Sequence, residues 1–555
     1  MVFLVNIVLI ADICLAQITE RERPKEWSSL VYGARFMDRF LPMQGKILSS
    51  DTWGADYVVP RYIDNGIEDR IWSYWGGNIL KGNDGKYHLF VCGWLESSAR
   101  GHAEWGNSIV FNAIGDNLHG PFVIRNVIGR GHNPEAYRLK DGNYVLYVIN
   151  GRYIADDMNG SWGEIGRFVF NHRDRRVKDG LSNQSFSQRE DGSFLMVARG
   201  GEMFISEDGV NEYAQISDKS VYPAVEGAGE FEDPVLWKDH VQYHLIVNDW
   251  KGRIAYYLRS KDGINWVVDP GEAYTPGIAR HEDGVLEDWF KYERIKVFQD
   301  EYGRAIQANF AVIDTLKHED KASDNHSSKN ITIPLNPGLL LSMPDASPIN
   351  SKTKTIRVKI QAEDGFNPQT DIDIASLRFG ASPEVNDGRG CVAQGTENDG
   401  KDLIVIFDGK GHGIDENEFA PKLIGKTKAN KLIYGYARLP YVSYMEPILS
   451  ARAPVFTKNG HLLDVAVEVQ NFGQVASRKA AIKVEYLKDG KPVLVSSGNV
   501  PALKPYEKME VKLSSAKNVF AEDRQYELVV TIFAGKTIFS TFSLKKKIVE
   551  LLMHE

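Results

Sequence analysis

The feature that most restricts the fold of this chain is a hairpin pattern that recurs through its first half. A tight turn of the Asp-Gly type precedes an alternating strand in DGKYHLFV from Asp84, DGNYVLYV from Asp141 and DGSFLMVA from Asp191. KDHVQYHLIV, with its turn near Asp239, and the weaker EYGRAIQANF, near Tyr302, repeat the pattern. These units follow one another at intervals of roughly 50 to 60 residues, without a long amphipathic helix between them. Such a fixed period is typical of repeat architectures.

Five units of this kind predict an all-β chain that begins with a five-bladed β-propeller. A propeller repeats a four-stranded sheet around a central channel, and this requires the short strands and regular turns seen here. The alternative is a β-sandwich whose hairpins recur by coincidence, and the regular spacing disfavours it. ITIPLNPGLLLSM, which starts at Ile331, is typical of a returning strand that could close the propeller.

The second half of the chain has a different pattern. Residues 351–440 form a separate β module, and residues 450–545 alternate as an immunoglobulin-like sandwich does, for example in LLDVAVEVQNFG. We therefore predict a propeller over 17–345, an accessory β domain over 346–445 and an immunoglobulin-like β-sandwich over 446–555. The two later modules lack a compact set of His, Asp and Glu at strand starts, which is why we expect them to be accessory.

The N-terminus, MVFLVNIVLIADICLAQ, is typical of a secretory signal peptide over residues 1–16, cleaved after Ala16. No later stretch is apolar over the length of a membrane span. We therefore expect an exported protein, either periplasmic or extracellular. The net charge of −8 argues against a nucleic-acid partner. The three cysteines, Cys14, Cys92 and Cys391, are too few for a disulfide framework or a Cys-based zinc site. Cys92, inside LFVCGW, is expected to be a buried structural thiol.

The starts of the innermost strands are the expected functional positions, because in a propeller these starts converge beside the central channel. They lie eight residues before each turn and carry small or polar residues where a structural core would have Val or Ile: Gly76, Asn133, Asn183, Glu232 and Arg294 beside Glu293. The first strand of the fourth unit begins with GEFEDPVLW, which contains three acids, Glu230, Glu232 and Asp233. Carboxylates at the start of a buried strand cost folding free energy unless they are paired, so unpaired ones there indicate a functional role.

Three of these segments resemble the blade starts of family-43 glycoside hydrolases and their five-bladed clan relatives: GNILKGNDGKYHLFV, HNPEAYRLKDGNYVLYV and FEDPVLWKDHVQYHLIV. SIVFNAIGDNLHGPF resembles an outer strand of the same group, and the resemblance covers roughly residues 50–315. It implies a carboxylic acid that protonates the leaving oxygen, a carboxylate that activates water and often a third acid that tunes the donor. Glu232 matches the general acid of the family. The base and the third acid are replaced by Gly76 or Gly77 and by Asn133.

Two nearby acids are our candidates for the missing roles. Asp69 precedes the first strand of the first blade and is predicted to be the base. Glu135 lies on the same side of its strand as Asn133 and is predicted to be the modulator. The alternative is that both acids form local salt bridges, Asp69 with Arg70 or Arg61 and Glu135 with Arg138 or Arg152.

Aromatic, amide and basic residues near the same starts are predicted to bind the substrate, because sugars stack their apolar faces on rings and need polar partners for their hydroxyls. The predicted set is Asn133, His132, Trp75, His102, Trp105, Asn183, Trp250 and Arg294. Each tryptophan has packing within a blade as its alternative. The two histidines could instead hold a structural ion.

The sequence thus favours an exported, exo-acting glycoside hydrolase that acts on oligosaccharides from plant or algal polysaccharides. A non-catalytic sugar-binding propeller and a polysaccharide lyase that uses His and Tyr are the alternatives. No metal ligand or cofactor is assigned, and a structural calcium ion is left open, with Asp364, Asp371 and Asp373 as one candidate group. The sequence does not define the oligomeric state.

Overall fold

The computed structural model describes residues 20–50, 58–175, 181–225, 229–521 and 524–552. The predicted signal peptide, with Cys14, lies outside the described residues. Strands dominate the described chain, and its helices are short: Pro368–Asp371 and Ser382–Asn386 are α-helical, and 3₁₀ turns span Lys25–Ser29, Phe36–Arg39, Gly101–Asn107, Ile374–Ser376 and Ile548–Leu551. None of the described helices combines the length and apolarity that crossing a bilayer requires. The chain is all-β, as the sequence predicts.

Five mainly antiparallel sheets, named A to E, follow one another along the first half. Sheet A contains Trp72–Lys81, Tyr87–Leu95, Ile109–Gly115 and Val123–Arg130. Sheet B contains Glu135–Arg138, Tyr144–Val148, Gly151–Ala155 and Gly166–Arg167. Sheet C contains Ser185–Gln188, Phe194–Val197, Met203–Ser206, Glu212–Gln215 and, in parallel pairing with the last of these, Val169–Asn171. Sheet D contains Phe231–Lys238, Tyr243–Asp249, Ile254–Ser260 and Val267–Tyr274. Sheet E contains Lys291–Gln299, Ala305–Ile313 and Ser328–Pro334. A separate two-stranded sheet pairs Leu48–Ser49 with Arg61–Tyr62.

The predicted hairpins are the first two strands of these five sheets. In each of sheets A, B and C an Asp side chain accepts the backbone N–H two residues on, as with Asp84 and Lys86 at 3.0 Å, and thereby fixes the turn. Asp239 and Asp300 do the same in sheets D and E. The second strands are largely buried, and all five residues of Tyr144–Val148 are buried. The five predicted turns are confirmed.

The first strands of the five sheets contact one another in cyclic order. The side-chain amide of Asn78 in sheet A accepts the backbone N–H of Ala136 in sheet B at 2.7 Å and donates to its carbonyl at 2.9 Å. Ser185 of sheet C donates to Glu135 of sheet B at 3.3 Å and accepts from the backbone N–H of Leu236 in sheet D at 3.1 Å. The first strand of sheet E contacts those of sheets D and A. This layout is compatible with a five-bladed propeller.

Residues that precede sheet A complete sheet E. Ile67 and Phe40 form antiparallel bridges with Asn330 and Leu335, on and just after the third strand of sheet E. The side-chain amide of Asn65 also bonds to the backbone of Thr332 in both directions at 2.8 Å. The returning strand predicted from Ile331 is therefore the third strand of sheet E, and the N-terminal segment pairs with its outer edge.

The second half contains three sheets. Sheet F has seven strands: Leu341–Ser342, Ile356–Ile360, Arg378–Gly380, Cys391–Asp399, Asp402–Phe407, Lys422–Lys426 and Leu432–Tyr436. Sheet G contains Leu449–Ala451, Val455–Asn459, Leu462–Asn471, Lys508–Lys512 and Ala516–Lys517. Sheet H contains Ala480–Lys488, Lys491–Val500, Gln525–Ala534 and Thr537–Lys547. Sheets G and H bury one common apolar core, which is compatible with a sandwich. The domain limits at 345 and 445 stay predictions, and Leu341–Ser342 already belongs to sheet F.

Buried polar side chains dock the second half on the first. Arg259 of sheet D donates to the hydroxyl of Ser382 at 2.9 Å. Arg173 donates to the hydroxyl of Ser450 at 3.3 Å. Lys422 is fully buried and donates to main-chain carbonyls of residues 33 and 34, and burial lowers its pKa to about 7. Removing the second half would therefore take away these partners of Arg259 and Arg173 and uncover both guanidinium groups.

Candidate functional site

One residue within or just before each first strand of sheets A to E has a left-handed backbone conformation. The five are Gly76 (φ 59°), Asn133 (φ 55°), Asn183 (φ 54°), Asp233 (φ 56°) and Arg294 (φ 54°). Asn and Asp tolerate this region better than other residues with a side chain, whereas at Arg294 it costs roughly 1–2 kcal/mol. In sheets A, D and E the strand pairing shifts register at these residues. The five sheets thus present structurally equivalent positions, which we call the ring residues.

The ring residues contact one another. Asn133 Nδ2 donates to Asn183 Oδ1 at 3.4 Å, and the Arg294 guanidinium lies 2.6 Å from Asp233 Oδ1. A Cβ added to Gly76 would lie 3.4 Å from Asn133 Oδ1 and 3.7 Å from Cβ of Arg294, so Gly76 lies between these two. All five line one cavity of ≈ 10 Å³. Four ring residues are those predicted from the sequence. In sheet D the ring residue is Asp233, one position after the predicted Glu232.

The residues that immediately precede the ring residues form a second equivalent set: Trp75, His132, Ser182, Glu232 and Glu293. Glu232 and Glu293 therefore occupy the same position on the neighbouring sheets D and E. The sequence alone indicates Glu232 as functional, and it notes Glu293 only as the neighbour of Arg294.

Glu232 is held as a partly protonated acid. Its side chain is 18% exposed, and its Oε1 lies 2.7 Å from a guanidinium nitrogen of Arg199. Burial, together with the negative charges of Asp233 and Glu293, raises the pKa of Glu232 to about 7, against the opposing effect of Arg294 and Arg199. Near neutral pH this carboxyl group is therefore able to give up or take a proton.

Glu293 is held in the opposite state. Its side chain is 1% exposed, and its two oxygens lie 2.6 Å from Lys317 Nζ and 3.3 Å from Lys291 Nζ. Burial opposes ionisation, but the charges of Lys317 and Lys291 outweigh it and hold the pKa of Glu293 below its ordinary value. Glu293 is therefore a carboxylate across the neutral range.

A small cavity of ≈ 10 Å³ adjoins Glu293, and Asn248, Trp250, Tyr274 and Lys291 also line it. The Lys291 ammonium lies 4.6 Å from the ring centre of Trp250. The Tyr274 hydroxyl is buried and has no hydrogen-bond partner among the described residues. A polar cavity of this size holds about one water molecule. The predicted substrate residue Trp250 thus lies beside the ionised carboxylate.

Four other predicted residues form one aromatic cluster with Trp94, which the sequence analysis missed. The ring centres of Trp75 and His102 are 4.7 Å apart, and those of Trp105 and His132 are 5.0 Å apart. Burial lowers the pKa of both histidines well below 6.5, so both are neutral. Trp75 is 1% exposed and packs inside the cluster, whereas Trp105 is 46% exposed. Trp105 is therefore the ring of this cluster that solvent reaches.

Asp69 caps the first strand of sheet A. Its Oδ1 accepts the backbone N–H groups of Ile71 and Trp72 at 2.7 and 2.9 Å, and its Oδ2 accepts the hydroxyl of Tyr74. These bonds use both oxygens to hold the start of the strand. The base role predicted for Asp69 stays a prediction.

Glu135 forms a buried ion pair that joins sheets B and E. It is 3% exposed and pairs with the ammonium of Lys296, and its Oε1 accepts the hydroxyl of Tyr137 at 2.6 Å. Lys296 Nζ also donates to the hydroxyl of Ser185 in sheet C at 3.1 Å. The partner is a lysine 161 residues away in sequence, instead of the local arginines that the sequence suggests. The modulator role of Glu135 stays a prediction.

The cations that control the site, Arg199, Lys291 and Lys317, were not identified from the sequence. Lys291 lies two residues before Glu293 in an alternating strand, a signal that could have identified it. Arg199 and Lys317 lie in turns, and no local pattern marks them. Cys92 is buried and its thiol donates to the carbonyl of Trp75, which confirms it as a buried thiol. Among the described residues, no group of three or more His, Cys, Asp and Glu side chains could hold a metal ion.

Comparison with known proteins gives structural matches only. No protein-family model matches the chain, and no curated protein matches it. Solved glycoside hydrolases are similar in structure. An α-L-arabinofuranosidase from Lactobacillus brevis shares 11% identity over 48% of this chain and 92% of its own, with a TM-score of 0.34. A family 117 glycoside hydrolase produced by the marine bacterium Zobellia galactanivorans shares 10% identity over 53% and 89%, with a TM-score of 0.36. A thermostable family-43 glycoside hydrolase shares 12% identity over 48% and 94%, with a TM-score of 0.30. At these identities and TM-scores, the similarity assigns no substrate and no catalytic residue to this chain.

Proposed function

We propose that sheets A to E form a five-bladed β-propeller and that the protein is an exported, exo-acting glycoside hydrolase. The observation that carries the proposal is the pair Glu232 and Glu293. They occupy equivalent positions on neighbouring sheets, and their surroundings move their pKa values in opposite directions. Two carboxyl groups with pKa values moved apart are what acid–base cleavage of a glycosidic bond requires.

In the proposed reaction Glu232 is the general acid and Glu293 the general base. Glu232 donates its proton to the oxygen of the leaving group as the glycosidic bond breaks. Glu293 takes a proton from the attacking water, and its cavity has room for one water molecule. Lys317 and Lys291 keep Glu293 ionised, while burial keeps Glu232 protonated up to about pH 7.

We assign the base to Glu293 in preference to Asp69 because of the bonds that these carboxylates already make. Both oxygens of Asp69 already accept hydrogen bonds, from two backbone N–H groups and a tyrosine hydroxyl, whereas Glu293 adjoins a cavity with room for the attacking water. Glu135 is bound to Lys296, so we assign it to holding the sheets together.

The proposed substrate is an oligosaccharide derived from plant or algal polysaccharide. The exposed ring of Trp105 offers a stacking surface for an apolar sugar face. Asn133, Asn183 and Arg294 supply amide and guanidinium groups at the ring residues, where sugar hydroxyls need partners. His132, neutral and next to Trp105, adds a further polar contact.

A non-catalytic sugar-binding protein is the second candidate. The ring positions of sheets A and B carry Gly76 and Asn133, where the family that the sequence resembles has its base and its third acid. A sugar-binding site needs neither carboxyl group.

The experiment that separates these functions is a product assay with the full-length chain on a panel of plant and algal oligosaccharides. We expect new reducing ends, with a single sugar released from one end of the substrate. Calorimetric binding of an oligosaccharide without any product would overturn the hydrolase proposal in favour of sugar binding. Unsaturated products would identify a lyase.

Lys317→Met tests the role of Glu293. Removing this ammonium weakens the force that keeps Glu293 ionised, so its pKa rises. We expect the acidic limb of the pH profile of kcat/KM to move to higher pH, because the base is then protonated sooner as pH falls. Lys321→Met on the same loop is the matched control, since Lys321 donates to the carbonyl of His318 and not to Glu293. An acidic limb that stays in place in Lys317→Met would exclude Glu293 as the base.

A further inference from the structure

An acidic cluster lies beneath the loop of residues 314–327, which connects the second and third strands of sheet E. Glu96, Asp324 and Asp314 lie close enough to the buried Asp320 for their charges, together with burial, to raise its pKa. The charge of His326 acts in the opposite direction. The loop is fastened to sheet A at this point. The backbone N–H of Ser323 donates to the carbonyl of Glu96 at 3.0 Å, and the hydroxyl of Ser327 donates to Glu96 Oε2 at 2.8 Å.

Two carboxyl oxygens of the cluster are buried without partners. Asp320 is 2% exposed and Glu96 is 5% exposed. Asp320 Oδ2 and Glu96 Oε1 have no hydrogen-bond partner among the described residues. An unpaired carboxylate in the interior is costly, so a proton or a bound cation has to compensate each of them.

The remaining charged groups do not neutralise these two oxygens. His326 pairs with Asp314 at 2.9 Å, and Asp324 accepts the backbone N–H groups of residues 321 and 326. Arg61 lies close enough to Asp314 to interact with it electrostatically. On the neighbouring turn Gly101–Asn107, Glu104 faces Arg100, 3.9 Å away. No ion pair joins Asp320 or Glu96 to a lysine or arginine within the described part of the chain.

We propose that Glu96 and Asp320 bind a divalent cation of the calcium type, which fastens the loop 314–327 to sheet A. Calcium takes about six to eight oxygen ligands and accepts carboxylates, main-chain carbonyls and waters together. The chain would supply two side-chain carboxylates, and main-chain carbonyls and waters would complete the coordination. The unpartnered oxygens of Asp320 and Glu96 are the groups that such an ion would satisfy.

The cation site is connected to the candidate active site by the same loop. Lys317, which pairs with Glu293, lies three residues before Asp320. Gly101 lies so close to the main chain of Asp320 that an added Cβ would be 1.9 Å from its carbonyl oxygen, and the next residue is His102. A cation at Asp320 would therefore hold Lys317 and His102 in place. This last step rests on the proposed function, whereas the cation site itself does not.

The test uses the full-length chain freed of divalent cations with a chelator and titrated with calcium chloride in a calorimeter. We expect one calcium ion per chain and an upward shift of the thermal midpoint of about 2 °C or more at saturating calcium. Asp320→Asn and Glu96→Gln should each weaken calcium binding at least about tenfold. Asp364→Asn, an exposed acid from the other calcium group that the sequence leaves open, separates the two sites and should bind calcium as the natural chain does.

Calorimetry and thermal unfolding keep the test independent of catalysis. Absence of calcium binding in the folded natural chain would overturn the proposal, as would binding by Asp320→Asn and Glu96→Gln that equals that of the natural chain. A thermal midpoint that saturating calcium leaves unchanged would also overturn it, because the ion would then not fasten the loop to sheet A. None of these results affects the roles of Glu232 and Glu293.

Discussion

Replacing Glu232 by glutamine is expected to lower turnover on a natural glycoside by at least about a hundredfold, the low end for the loss of a general acid. Glutamine keeps the size of the side chain and can still contact Arg199, but it has no proton to give to the leaving oxygen. The fold and sugar binding should therefore survive. Steady-state kinetics on the best substrate of the panel, with calorimetric binding of the same sugar, measure the two effects separately.

Two further results are expected if Glu232 is the acid. The loss should be smaller for substrates with very good leaving groups, because these need little protonation. In the natural chain kcat/KM should fall as pH rises through about 7, because Glu232 then loses the proton it donates. This basic limb should be absent from the residual activity of Glu232→Gln.

Glu230→Gln is the matched control. Glu230 lies two residues earlier, its side chain is 43% exposed, and it pairs with Lys251 at 2.8 Å. We expect its glutamine variant to have near-normal turnover. Near-normal turnover in Glu232→Gln itself would mean that Glu232 is structural. An unfolded Glu232→Gln protein is not expected, and thermal unfolding of both variants checks this.

The position of the candidate site could be predicted from the sequence because the hairpins repeat. In sheets A, B, C and E, five residues connect the first strand to the second, at 82–86, 139–143, 189–193 and 300–304. A fixed count back from the turn therefore reaches the ring residue in each of these sheets. In sheet D the connection is four residues, 239–242, and the same count stops one residue early, at Glu232 instead of Asp233.

The partners of the charged residues could not be predicted in the same way. Local sequence indicates a neighbour such as Arg138 for Glu135, but the buried partner is Lys296, which sheet E brings in from 161 residues away. Lys317 reaches Glu293 from a loop, and Arg199 reaches Glu232 from a turn of sheet C. The repeat determines where a strand begins, whereas these pairings depend on which sheets are neighbours and on side-chain directions that no short motif encodes.

Lys296→Met is expected to destabilise the chain by about 3–5 kcal/mol, the usual cost of leaving one buried charge of an ion pair unpaired. Lys296 is 6% exposed and Glu135 is 3% exposed, so the remaining carboxylate would lose its charge partner while it stays largely buried. Lys296 also donates to Ser185, which in turn accepts the backbone N–H of Leu236. The midpoint of denaturant unfolding, followed by tryptophan fluorescence, measures the loss.

The double variant Glu135→Gln with Lys296→Met distinguishes an unpaired charge from lost packing. If the cost comes from an unpaired charge, removing both charges should restore much of the stability lost in Lys296→Met. Lys238→Met is the matched control, because its partner Glu190 is 50% exposed and an exposed ion pair contributes only about 0–1 kcal/mol. A double variant as unstable as the sum of its two single variants would mean that the pair contributes through packing and hydrogen bonds alone.

The same variants test the modulator role that the sequence predicts for Glu135. The strongest influences on the pKa of Glu232, after burial, are Asp233, Arg294, Glu293 and Arg199. Glu135 is paired with Lys296, so Glu135→Gln should change stability while the basic limb of the pH profile of kcat/KM, near pH 7, stays where it is. A basic limb that moves in Glu135→Gln would show instead that Glu135 acts on the proton donor Glu232. Stability and proton donation would then depend on the same buried pair.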